Sequence, residues 1–182
     1  VYKLPFTPKW VTRVKKGKFF KYRAQEFSSP ISDGETIYVG TDSGYVYALG
    51  TRRGRVHWRF KTKGPVHAAP ALNAQHIFVG DEDGTFYAVD RETGDLAWSQ
   101  KFSAPIMAQP LIVGERLYAV SLKGTLYALS VSDGHTLWSY PAGLMARDMT
   151  VYGQSSPAYD AKRQALYVGL SDGRLLAVKA HS

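Results

Sequence analysis

Apolar and polar positions in this chain change places over short stretches bounded by glycine, and no stretch shows the spacing of an amphipathic helix. Ile37-Tyr38-Val39, Ile77-Phe78-Val79, Leu117-Tyr118-Ala119-Val120 and Leu166-Tyr167-Val168 are apolar throughout. Such runs belong to strands with neighbours on both faces. The pattern predicts units of four strands. In the second unit these cover residues 68–72, 76–80, 85–90 and 96–100. Gly44, Gly84, Gly124 and Gly173 fall in the turn after the second strand of each unit, and Gly54, Gly94 and Gly134 in the turn after the third. Tight turns at these places require a residue that accepts positive φ.

The units repeat. Pro30, Pro70 and Pro110 are 40 residues apart, and so are Tyr47, Tyr87 and Tyr127, and Trp58, Trp98 and Trp138. A fourth copy follows with Pro157, Tyr167, Gly173 and Ala177. A period of this length, built of short strands that cannot bury both faces alone, predicts blades stacked around an axis. The fold class expected is therefore all-β, a β-propeller of four-stranded blades. The blades are placed at residues 27–60, 66–100, 106–140 and 154–182, and a lone outer strand at 7–14 brings the expected total to sixteen strands. That lone strand completes the last blade if the ring closes at four, or a blade begun by residues outside the chain.

Two connections are longer than the rest. From Trp to the next Pro the regular units take 12 residues, but Trp10 to Pro30 takes 20 and Trp138 to Pro157 takes 19. Both additions lie between an outer strand and the next inner strand, so both loops, 15–29 and 141–155, are expected on one rim. They stand side by side if the ring closes at four blades, and three blades apart in a ring of eight.

Ala88-x-Asp90-x-x-Thr93-Gly94-x-x-x-Trp98 resembles the tryptophan-docking repeat of the quinoprotein-like (PQQ-like) propellers. Ala128-x-Ser130-x-x-Asp133-Gly134-x-x-x-Trp138 is a second match. Ala48-x-Gly50-x-x-Arg53-Gly54-x-x-x-Trp58 keeps Ala, Gly and Trp and loses the Asp and Thr, while Ala177 and Lys179 begin a fourth copy. The resemblance implies a structural docking role for Trp10, Trp58, Trp98 and Trp138, each ring lying between blades against a turn that carries Gly54, Gly94 or Gly134. It implies part of an eight-bladed ring, which a second half-propeller or a longer polypeptide would complete. Relatives include quinone-dependent dehydrogenases, sensor ectodomains of kinases, and the non-catalytic lipoprotein of the outer-membrane β-barrel assembly machinery. The last is closest in character to this chain.

Charge sharpens the picture. Of 23 Lys and Arg, eight lie in the first 25 residues with no acid among them, and the rest of the chain carries 15 of each sign. A second basic stretch holds Arg52, Arg53, Arg55, Arg59, Lys61 and Lys63. A local patch of this kind steers towards an acidic partner, or keeps a strand edge from pairing with another chain. The long loops carry the expected partner-binding residues. Lys15, Lys16, Lys18, Lys21 and Arg23 lie on the first, and Leu144, Met145, Arg147 and Met149 on the second. Methionine adapts to irregular partners and charge speeds encounter. Phe19, Phe20 and Tyr22 sit among the first set, where stacking on bases is conceivable, but anchoring of the loop is preferred and nucleic acid is not the expected partner.

Candidate chemistry is thin. The five histidines, His57, His67, His76, His135 and His181, show no metal-ligand spacing, and there is no Cys. No nucleophile elbow or phosphate loop is present. Asp33, Asp42, Asp83, Asp133 and Asp172 read as turn residues. No catalytic, cofactor or metal site is expected. No apolar run reaches 18 residues, so no membrane-spanning helix is expected. The chain begins at Val1, no signal peptide is expected within it, and it is expected to be processed, truncated or partial. The function expected is a non-catalytic protein-interaction scaffold of the bacterial cell envelope, in the periplasm or at the outer membrane, with protein partners that include a membrane β-barrel. The alternatives are a fragment of a quinone-dependent dehydrogenase and a propeller sensor ectodomain.

Overall fold

A computed structural model describes residues 9–12, 28–142 and 155–180 of the chain. The described residues form fifteen strands and no helix. Blade 1 contains β1 (Ile31–Ser32), β2 (Thr36–Gly40), β3 (Tyr45–Gly50) and β4 (Val56–Lys61). Blade 2 contains β5 (Ala71–Leu72), β6 (His76–Gly80), β7 (Thr85–Asp90) and β8 (Leu96–Lys101). Blade 3 contains β9 (Leu111–Val113), β10 (Arg116–Val120), β11 (Thr125–Ser130) and β12 (Thr136–Pro141). Blade 4 has three strands, β13 (Ala158–Asp160), β14 (Ala165–Gly169) and β15 (Leu175–Lys179). Each sheet is an antiparallel meander in chain order.

Repetition of sequence becomes repetition of register. Ala48 lies opposite Trp58, Ala88 opposite Trp98 and Ala128 opposite Trp138, and each pair is followed by a bulge. The second-to-third-strand turns close in one way. Gly84 N–H donates to Asp81 O with Gly84 at φ +76°, and Gly44 and Gly124 repeat the bond on Thr41 and Ser121. The inner strand of blade 2 begins at Ala71, later than the expected 68, because residues 66–70 run as the connection between blades. Val66 N–H there donates to Thr41 O of blade 1.

Of the sixteenth strand expected at 7–14, only residues 9–12 are described. Residues 9–12 have no sheet partner among the described residues. An outer strand pairs with the third strand of its own blade, and no such strand lies beside this segment among the described residues. Side-chain bonds hold it against blade 1 instead. Trp10 Nε1 donates to Thr51 O (2.8 Å) and Thr12 Oγ1 to Gly54 O (2.6 Å).

The core sits between blades. Tyr38, Val46 and Ala48 of blade 1 pack on Ile77, Val79 and Val89 of blade 2. Phe78, Phe86 and Trp98 of blade 2 pack on Leu117, Ala119 and Leu129 of blade 3. Tyr118, Val120 and Leu126 of blade 3 pack on Leu166, Val168 and Leu170 of blade 4. Successive residues of β6 and β10 therefore serve different neighbours, as strand alternation dictates. Among the described residues no such cluster joins blade 4 to blade 1.

Turn carboxylates give the fold a pH signature. Burial raises the Asp33 pKa, but backbone N–H groups of Thr36 and Glu35, with Arg91, take it below the usual carboxylate range. The Thr93 N–H lowers Asp90, Ser130 and His135 take Asp133 to about 2, and Arg163 and Arg174 lower Asp160 and Asp172. A depressed folded-state pKa contributes stability above the unfolded value of about 3.9 and loses it as pH falls through the folded value. The urea midpoint should therefore stay level down to about pH 5 and fall from about pH 4 to 2. A midpoint unchanged over that acid range would contradict this assignment.

Candidate functional site

The tryptophan positions are built from the turn upward. After β7 the chain turns through residues 91–94, with Thr93 N–H on Asp90 Oδ1 (2.8 Å) and Gly94 N–H on Asp90 O (3.0 Å). Gly94 stands at φ +80°, and a Cβ there would lie 2.7 Å from the Trp58 ring. Glycine is needed twice over at this place, for backbone conformation and for space. The Trp58 indole donates to Arg91 O (2.9 Å), so the outer strand of blade 1 is seated on blade 2. Trp98 repeats the arrangement with Val131 O (3.0 Å) and Gly134, and Trp10 with Thr51 O and Gly54.

Trp138 differs. Its Nε1 is buried and has no hydrogen-bond partner among the described residues. The carbonyl at the equivalent place in blade 4, Ala180 O, already accepts from Tyr118 Oη (2.8 Å) and Arg116 Nη1 (2.7 Å). The ring still packs against the blade 3–blade 4 cluster and lies 5.9 Å from Tyr118.

Two polar features were not anticipated from the sequence. Asp81 is fully buried. Its Oδ1 accepts from Thr85 N–H (2.7 Å), and its Oδ2 from Gly64 N–H (3.0 Å) and Tyr87 Oη (2.9 Å). Burial pushes the Tyr87 phenol up to about 12, helped by the adjacent carboxylate. The clue lay in Thr41, Asp81 and Ser121, short oxygen-bearing side chains at one repeat position, a signature of side-chain-closed turns. The second feature is a salt bridge from Arg91 of blade 2 to Asp33 of blade 1. Asp33 also accepts from Glu35 and Thr36 N–H, as a turn residue does. Its partner is 58 residues away and becomes its neighbour only when the blades stack.

His67 lies between blades, with Nε2 3.4 Å from Asp42 and Nδ1 3.2 Å from Glu82. His135 bonds its neighbour Asp133. Among the described residues no group of three or more His, Asp or Glu is placed to hold a metal ion. No helix among them is long and apolar enough to cross a membrane.

The expected partner-binding residues, Lys15, Lys16, Lys18, Lys21 and Arg23 on one loop and Leu144, Met145, Arg147 and Met149 on the other, lie outside the described residues. Both ends of the second loop and the far end of the first are described. Ala142 N–H donates to Gly124 O (3.2 Å) and Ala142 O accepts from Arg174 of the blade 4 hairpin (2.9 Å). At the far ends, Ser28 Oγ accepts from Gly40 N–H (3.1 Å) and Ser155 Oγ from Gly169 N–H (2.7 Å). All of these contacts are made at the end of the blades that carries the second-to-third-strand turns. Serine stands at this point in both units with long connections, where the compact units have Ala68 and Ala108.

Antiparallel four-stranded blades, packed face to face and seated through tryptophans on glycine turns, define a β-propeller of PQQ-like repeats. The chain belongs to the family described as outer membrane protein assembly factor BamB, which matches residues 10–99 and 73–182. No curated protein matches it. Among solved structures it is similar to BamB from Moraxella catarrhalis, at 21% identity and TM-score 0.73, over 87% of this chain and 47% of that one. The chain thus spans about half the length of that relative. It is also similar to the computationally designed Ika4 protein, at 14% identity and TM-score 0.72, over 87% of this chain and 93% of that one. Quinohemoprotein alcohol dehydrogenase ADHIIG from Pseudomonas putida HK5 aligns at 20% identity and TM-score 0.71, over 90% of this chain and 34% of that one. At these identities the structural likenesses establish the fold.

Proposed function

We propose that the chain is a non-catalytic protein-binding scaffold of the bacterial cell envelope that takes part in outer-membrane protein assembly and faces the periplasm. The observation that carries this reading is the family match, which runs from Trp10 to the end of the chain. The two long connections supply the binding face. Their described ends lie at one end of the blades, and one loop is basic while the other carries Leu144, Met145 and Met149. The partner is a protein, a membrane β-barrel among the candidates. The likeness to the alcohol dehydrogenase favours a second reading, a fragment of a quinone-dependent dehydrogenase whose reacting residues lie on other blades.

Capture from an outer-membrane extract, run beside a dye-reduction assay with calcium and quinone, separates the two. The scaffold reading expects a β-barrel protein to be retained and no dye to be reduced. Reduction that depends on quinone and calcium, with no protein retained, would establish the enzyme reading instead.

A further inference from the structure

The outer edge of blade 1 differs from the other outer edges in one property. From Thr51 to Gly64 the chain carries Arg52, Arg53, Arg55, His57, Arg59, Lys61 and Lys63, with no acid, and all seven are exposed. The repeat provides its own control. The same seven positions in blade 2 hold Glu92, Thr93, Asp95, Ala97, Ser99, Lys101 and Ser103. In blade 3 the first six hold Ser132, Asp133, His135, Leu137, Ser139 and Pro141. Blade 1 thus presents six formal positive charges where each of the other two edges sums to one negative charge. Edge strands are often charged to prevent unwanted pairing. Here β8 and β12 occupy the same edge position without a cationic stripe, so the geometry of the fold does not call for one.

The stripe also has no carboxylate to compensate it among the described residues. Arg91, Arg163 and Arg174 each pair with an aspartate. Arg52, Arg53, Arg55, Arg59, Lys61 and Lys63 have no carboxylate partner among the described residues. Arg59 and Lys61 lie opposite Tyr47 and Tyr45 on β3 and crowd a single ring. The Arg59 guanidinium is 5.5 Å and the Lys61 ammonium 4.5 Å from the Tyr45 centroid. Lys61 further donates to Ser43 O and Gly44 O. The ring and the carbonyls hold the cations in place without neutralising them.

We propose that β4 is a docking edge for an extended acidic peptide segment, which lies along the strand as a fifth strand of blade 1. Two features favour a peptide over a flat polyanion. Among the described residues β4 pairs only with β3, which leaves its outer edge for a further strand. Residues i and i+2 of a strand lie about 6.8 Å apart on one face, so Arg59 and Lys61 match acidic side chains at alternate positions of an adjacent strand. A membrane surface or nucleic acid would use the charge and leave the backbone edge unused. The proposal concerns a different surface from the two long connections and does not rest on the scaffold reading.

The test is fluorescence-anisotropy titration of the 182-residue chain with a labelled, end-capped peptide of about ten residues in which Glu alternates with Thr and Val. Three peptides are compared: the parent, one with Lys for Glu, and one N-methylated at alternate amides. The parent should bind and protect the amides of residues 56–61 from hydrogen exchange. The Lys peptide should not bind, and N-methylation should weaken binding about tenfold or more, because it removes backbone bonds and leaves the charge. Arg59→Glu/Lys61→Glu should weaken the parent peptide to a similar degree, with Lys123→Glu as the neutral control. Arg52→Glu/Arg55→Glu serves if the first pair fails to fold. Equal binding of the N-methylated peptide, or tighter binding of duplex DNA or anionic vesicles than of the peptide, would overturn the proposal in favour of a general polyanion surface. Absence of binding by the parent peptide would overturn it outright.

Discussion

Replacing Trp98 with Ala should cost about 3–5 kcal/mol, the range for deleting a buried aromatic. The ring is 9% exposed and lies between blades 2 and 3, with Phe78 at 5.9 Å and Phe86 at 6.1 Å. Its loss opens a cavity against Gly134 and leaves Val131 O without its indole donor. The surrounding strands are pinned by their ladders and cannot collapse fully into the space, which is why the cavity adds to the transfer cost. Trp98→Phe keeps most of the apolar area and loses the bond, so it should fall well short of the Ala variant. Lys123→Ala, at an exposed turn position, should stay within about 0.5 kcal/mol. Denaturant midpoints of the three variants check the order. Equal midpoints for Trp98→Ala and Lys123→Ala would remove the interlocking role assigned to the ring.

Asp81→Ala should be comparably severe, at about 3–5 kcal/mol, because it strips the acceptor from three donors at once. Gly64 N–H belongs to the connection between blades, and Thr85 N–H and Tyr87 Oη to β7. Each buried donor left unpaired costs about 1–3 kcal/mol, and release of a buried carboxylate offsets part of the sum. The repeat supplies a graded control. At the equivalent position Thr41 Oγ1 accepts from Tyr45 N–H (3.1 Å) and Ser121 Oγ from Thr125 N–H (3.2 Å). Asp81→Ser should keep the Thr85 bond, lose the reach to Gly64, and fall between wild type and Ala. If Asp81→Ala and Asp81→Ser unfold at the same denaturant concentration as the parent, the buried hub is not a determinant of stability.

The contrast between Trp98 and Asp81 marks what could be read from the sequence. Trp98 and Gly94 declare themselves through spacing, because every blade solves the same packing problem with the same residues. For that reason β6 and β7 fall at the residues the pattern predicts. Asp81 occupies a position where Thr, Asp and Ser serve the same turn, and only the folded chain shows that the longest of them reaches the next connection. The Asp33–Arg91 salt bridge and the Ala180 carbonyl shared by Tyr118 and Arg116 depend on stacking between blades, which local periodicity does not encode. The Trp138 nitrogen, without a hydrogen-bond partner among the described residues, comes from the same source, since it depends on what lies across a blade boundary. The basic stretch from Arg52 to Lys63 was visible as composition. Its meaning came from placing it on β4 and comparing it with β8 and β12.

The scaffold reading is tested most directly by capture from an outer-membrane extract with three forms of the chain. These are the parent, Lys15→Glu/Lys16→Glu/Lys18→Glu, and Leu144→Ser/Met145→Ser, each first checked for a parent-like unfolding midpoint. The account predicts that a membrane β-barrel protein is retained by the parent and that at least one folded loop variant loses it. If both variants fold and retain every partner of the parent, the two long connections are not the binding face and the account is contradicted.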